Sequence, residues 1–68
     1  MLTERENDVL ELIILGYTNN EIADALTITI HTVKAHISSI LTKFGAKSRT
    51  QLPLMAFRQN LINPNSDK

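Results

Sequence analysis

Apolar residues return at helical intervals in four separate stretches of this 68-residue chain. Val9, Leu10 and Ile13 share one helical face, and Ile22, Ala23 and Leu26 share another. Val33, Ile37, Ile40, Leu41 and Phe44 form a longer stripe at i, i+4, i+7, i+8 and i+11. Leu54, Met55, Ala56, Phe57, Leu61 and Ile62 make a fourth stretch, with more apolar residues than one buried face requires. The pattern predicts an all-α fold, a four-helix bundle with helices over about 4–15, 19–26, 30–44 and 50–61.

Polar residues at the ends of these stretches set the boundaries. Thr3 with Glu6, and Thr18 with Glu21, have capping-box spacing, so each pair predicts a helix start. Gly16 and Gly45 fit the left-handed position just past a helix, with Tyr17 placed to meet Leu12 at the first of these stops. Thr27-Ile28-Thr29 reads as a turn, with Thr29 capping the third helix. Ser48 and Gln51 repeat the capping-box spacing, yet Pro53 would then fall inside the helix, where it costs roughly 3 kcal/mol. With Thr50 as the cap, Pro53 sits in the first turn, where its missing N–H is harmless, and the fourth helix begins properly near residue 51. After Ile62 the chain has no apolar content, so residues 1–62 are expected to form one domain and 63–68 a flexible tail.

At this length a single small core is all that can form, which excludes a large enzyme pocket. There is no cysteine, hence no disulfide and no thiolate metal site. The longest apolar run, Leu12 to Leu15, is too short to cross a bilayer or to act as a signal peptide, so a cytoplasmic location without membrane attachment is expected.

Net charge is zero, but its distribution is uneven. Residues 1–29 hold Glu4, Glu6, Asp8, Glu11, Glu21 and Asp24 against Arg5 alone. Residues 30–68 hold Lys34, Lys43, Lys47, Arg49, Arg58 and Lys68 against Asp67 alone. A basic C-terminal half suits an electrostatic footprint on nucleic acid; complementing helix dipoles would place acids early and bases late as well.

A short helix, a three-residue turn and a helix of about 15 residues is the helix-turn-helix arrangement, whose second helix lies in the major groove of DNA. The spacing by itself is shared by many small helical bundles. Between its apolar positions the third helix exposes Thr32, Lys34, Ala35, Ser38, Ser39, Thr42 and Lys43, which are short or cationic. Short side chains permit close approach, Lys34 can donate to guanine O6 or N7, and the Ala35 methyl can meet a thymine methyl. Lys43, Lys47 and Arg49, with the Thr32 and Ser48 hydroxyls, would make a phosphate clamp, although three cations in a short span also suit a solvated face. His36 lies between Val33 and Ile40 and reads as a half-buried structural histidine; His31, in the first exposed turn, could be structural or contact a base.

Taken together, Leu2-Thr3-Glu4-Arg5-Glu6 through Gly16, Thr18-Asn19-Asn20-Glu21-Ile22-Ala23 through Leu26, Thr29-Ile30-His31-Thr32-Val33-Lys34-Ala35-His36-Ile37 and Lys47-Ser48-Arg49-Thr50 resemble the LuxR/GerE-type helix-turn-helix of NarL- and FixJ-like response regulators. The resemblance covers about residues 2–62. It implies sequence-specific binding of double-stranded DNA for transcription regulation, with Lys34, Ala35 and Ser38 at positions that relatives use against base edges. It also implies a homodimer formed through the last helix, where Leu54, Met55, Phe57, Arg58 and Leu61 are the candidate interface. That helix could equally just close the core. Three positions depart from the family pattern: Asp24 and Ala25 stand where basic residues are common, and Ile30 where an acidic one is. Ser38 is shorter than the residue some members carry there. About four cations at phosphates would give a log–log salt slope of roughly −3 to −4 per monomer.

Nothing in the chain assembles a catalytic or metal-binding constellation, so no enzyme activity, cofactor or small-molecule substrate is expected. The competing class is a protein-interaction module, docking RNA polymerase or a regulator through the fourth helix. With the family motif starting at Leu2, the sequence fits either an effector domain taken from a longer regulator or a free-standing short one.

Overall fold

A computed structural model describes residues 1–59. Four α-helices follow one another: α1 Glu4–Ile14, α2 Asn19–Leu26, α3 Ile30–Phe44 and α4 Leu52–Arg58, the last preceded by a single 3₁₀ turn over Arg49–Gln51. There is no strand among the described residues. The expected end of the fourth helix at residue 61, with Leu61, Ile62 and the tail 63–68, lies outside them.

Both capping boxes form. Thr3 Oγ1 accepts from the Glu6 amide at 3.1 Å while Glu6 Oε1 accepts from the Thr3 amide at 3.0 Å. Thr18 and Glu21 repeat the exchange at 3.2 and 2.8 Å. Gly16, at φ +92°, closes α1 with two reverse bonds, its own N–H to Ile13 O at 3.0 Å and that of Tyr17 to Leu12 O at 3.0 Å. That is the Schellman pattern, which satisfies carbonyls the helix end would otherwise leave bare.

The start of the fourth helix differs from expectation. Neither Ser48 nor Thr50 caps it; their hydroxyls bond to each other at 2.9 Å, and Gln51 Oε1 accepts instead from the Lys47 amide at 2.8 Å. The 3₁₀ turn supplies what a side-chain cap would have supplied, since the Gln51 amide reaches Ser48 O and that of Leu52 reaches Arg49 O. α4 therefore opens at Leu52, and Pro53 occupies its first turn, where the absent N–H costs nothing.

The core is one cluster drawn from every helix: Val9, Leu10 and Ile13 of α1, Ile22 and Ala23 of α2, Val33, Ile37 and Ile40 of α3, Leu52 and Ala56 of α4. α1 and α3 each pack against all three other helices, most extensively against each other. Leu41 and Phe44 continue its stripe as half-buried residues. Each of the large side chains taken fully out of water contributes about 1.5–3 kcal/mol.

One charged residue is buried with them. Glu6, read from sequence only as a capping residue, is 6% exposed. Its carboxylate accepts from Lys43 Nζ at 2.8 Å and from the Ser39 hydroxyl at 2.6 Å, joining α1 to α3. The bond from Lys43 first, then Ser39, then the Thr3 amide hold its pKa at about 2 against the opposing effect of burial, compared with an ordinary 4.5. Because the folded-state value is depressed, the stabilisation is present above pH 4.5 and is lost as the pH falls toward 2. Acid unfolding followed by circular dichroism should show the stability gap between the native protein and Glu6→Gln narrowing through that window; parallel curves would show that the carboxylate is not the coupled group.

Thr27 is the one non-glycine residue with positive φ among those described, at φ 57°, ψ 48°. It ends α2, with the Ile28 amide returning to Ala23 O at 3.0 Å. A β-branched residue there is strained by roughly 1–2 kcal/mol, and its side chain is exposed. Thr27→Gly should raise stability by about 0.5–1 kcal/mol, read as a higher urea midpoint at unchanged m-value.

Candidate nucleic-acid interface

The orientation of α3 follows from its buried stripe. At about 100° per residue, Val33, Ile37 and Ile40 point to one side, and His31, Lys34, Ala35, Ser38 and Thr42 fall together within about 100° of arc on the other. All five of the latter are exposed. Thr29 opens the helix by accepting from the Thr32 amide at 3.1 Å, and Gly45 closes it at φ +68°.

This stripe presents a compact set of groups. Lys34 brings three N–H donors, Ser38 a hydroxyl, His31 an imidazole and Ala35 only a methyl, so the backbone can lie close to whatever the face meets. His36 is half-buried on the flank, as its place between Val33 and Ile40 predicted.

The residues expected at phosphates do not gather in one place. Thr32 is half-buried, its hydroxyl 3.1 Å from that of Thr29 and sharing a hydrogen bond with it. Lys43 lies on the flank facing α1, where its ammonium donates to Glu6 and also to Met1 O at 3.2 Å. Arg49 donates through Nη1 to Asn19 Oδ1 and through Nη2 to Tyr17 O at 2.8 Å. Lys47 and Ser48 are exposed in the loop after α3.

What the fold does assemble is an open cleft beside the α3 stripe, lined by Tyr17, Thr18, Asn19, Asn20, Ile30, Lys34 and Arg49. Lys34 and Arg49, fifteen positions apart in the chain, face it together with the first turn of α2. Sequence reasoning passed over Asn19 and Asn20. The signal was present in the Thr18–Glu21 capping box, which fixes where α2 begins and hence which amides a helix leaves without intrahelical partners. Such amides and hydroxyl or amide side chains are groups that seat phosphates.

α4 divides its apolar residues between two tasks. Leu52 and Ala56 are fully buried, whereas Leu54 and Phe57 remain 56% and 51% exposed. Met55 is half-buried and Arg58 exposed, so among the described residues nothing covers this apolar face with its basic edge. Among the described residues no three His, Cys, Asp or Glu side chains converge as a metal site, and no helix is long and apolar enough to cross a membrane.

Residues 1–56 match the family model described as "Bacterial regulatory proteins, luxR family". The chain is similar to the response regulator protein VraR of Staphylococcus aureus, Staphylococcus saprophyticus and Staphylococcus epidermidis, 56% identical in each case over 62 residues. The matched segment is 91% of this chain and 30% of each relative, so the chain spans about a third of the length of the curated proteins it resembles. With its helix-turn-helix and the family match over most of its length, the chain belongs to the luxR family of bacterial regulatory proteins and is a DNA-binding domain of transcription regulation.

Proposed function

We propose that this domain recognises a specific double-stranded DNA site with α3 in the major groove. Lys34, Ala35, Ser38 and His31 would meet base edges, and Thr32, Lys47 and Ser48 would meet phosphates at the two ends of the helix. The observation that carries this reading is the exposed stripe on α3: the opposite face is held rigidly in the core, and the outward face carries only short side chains, one imidazole and one cation. Lys43 and Arg49, both tied within the fold, are left out of this set of contacts.

Two copies would pair through the exposed α4 face of Leu54, Met55, Phe57 and Arg58, with Leu61 as a further candidate, and so bind paired half-sites. The response-regulator relatives support placing the domain at the DNA-binding end of a cytoplasmic two-component pathway, with RNA polymerase as the partner that responds to the bound domain.

Selection from a randomised duplex pool, followed by titration of the selected site, tests the reading. Lys34→Ala should weaken binding to that site by roughly 1–3 kcal/mol while relaxing discrimination at one base pair. Duplexes with two half-sites should bind more tightly than those with one. Undiminished affinity and unchanged site preference in Lys34→Ala would remove the base-reading role.

A further inference from the structure

Arg49 is the residue whose placement the groove-binding reading leaves unexplained. It opens the 3₁₀ turn before α4, is half-buried, and reaches across the fold to the segment that leads into α2. Nη1 donates to Asn19 Oδ1 and Nη2 to the Tyr17 carbonyl. The two nitrogens at the end of the guanidinium, the pair that would grip a phosphate end-on, thus each give an N–H to an acceptor of the same chain.

We propose that Arg49 is a positioning residue for the DNA-binding face: it contacts no phosphate itself and fixes the start of α2 against the foot of α4. The two acceptors sit on either side of Thr18, the cap of α2, so holding both fixes where α2 begins and which way its axis points. The first-turn residues Asn19 and Asn20 line the cleft that Lys34 also faces, and the cleft keeps its shape only while α2 and α3 keep their relative placement. A planar group with several donors at set angles holds a carbonyl and an amide oxygen in one fixed geometry, which an ammonium on a flexible stem does not impose. The tie also lies far along the chain from the elements it joins, thirty positions for Asn19 and thirty-two for Tyr17. It therefore supplies a restraint that the local caps of α2 do not.

This inference rests on the DNA-binding reading, and the test separates the two. Affinity of the whole 68-residue chain for a duplex selected on the native protein is measured across a salt series. A residue that neutralises a phosphate contributes about 0.9 to the log–log salt slope. Arg49→Ala should weaken binding about tenfold with the slope unchanged, whereas Lys47→Ala should flatten the slope by about 0.9. Arg49→Lys should not restore affinity. Asn19→Ala, which keeps the charge and removes an acceptor, should weaken binding by a similar factor, and the double variant should be no weaker than Arg49→Ala, the non-additivity expected of one shared contact. Circular dichroism of each variant verifies that it is folded, and Arg49→Lys, weak at an unchanged salt slope, carries the test if Arg49→Ala is not.

A flatter slope in Arg49→Ala with rescue by Arg49→Lys would make Arg49 a phosphate contact and overturn the proposal, as would additive losses in the double variant or native affinity in every variant. If the native protein selects no duplex, the DNA-binding reading itself fails and takes this role with it.

Discussion

The rotation of α3 about its own axis is the constraint on which the remainder of the molecule depends. Val33, Ile37 and Ile40 are buried among residues from all three other helices, so turning α3 would pull apolar surface into water on one side and drive exposed polar groups into the core on the other. With that rotation fixed, the identities of the outward residues follow from sequence position alone. A rigid helix with a preset outer face is what recognition of a groove requires, because side chains that must reach particular base edges cannot do so from a helix free to roll.

A second restraint is ionic, and its economy is unusual for so small a core. Burial of a lone carboxylate would be costly, but Glu6 is bonded by an ammonium, a hydroxyl and a backbone amide at once. The residue thereby serves two ends, completing the N-terminal cap of α1 and anchoring α1 to the far part of α3. The consequence for charge is that one cation of the basic C-terminal half is directed inward. Net charge per half is therefore a poor guide to the potential on the outer surface of α3; among the described residues, Lys34 on the stripe and Lys47 in the following loop are exposed cations near it.

Much of this architecture was legible in the sequence because its signals are local. Both capping boxes, both glycine stops and the five-residue apolar stripe of α3 depend on residues within a few positions of one another, and each formed where the spacing indicated. Two features escaped because they are not local in that sense, and two more escaped although they are. The partnership of Glu6 with Lys43 spans thirty-seven positions, and that of Arg49 with Asn19 spans thirty. The left-handed backbone of Thr27 is imposed by the need to turn α2 into α3 within a few residues, against the preference of a β-branched side chain. At the start of α4 the sequence offered two caps, and a 3₁₀ turn satisfied the amides without either. Of the candidate site, the α3 stripe could be read from periodicity, while the cleft that adds Asn19 and Asn20 needed the packing of α2 against α3.

The central claim is that the outward stripe of α3 is the surface that meets DNA, and a backbone amide NMR titration with a short duplex at low salt tests it most directly. The account predicts shifts concentrated over residues 29–50 and at the first turn of α2, reversing as salt is added. A silent α3, with changes absent or confined to α4, would contradict it and identify the domain as a module that docks proteins instead.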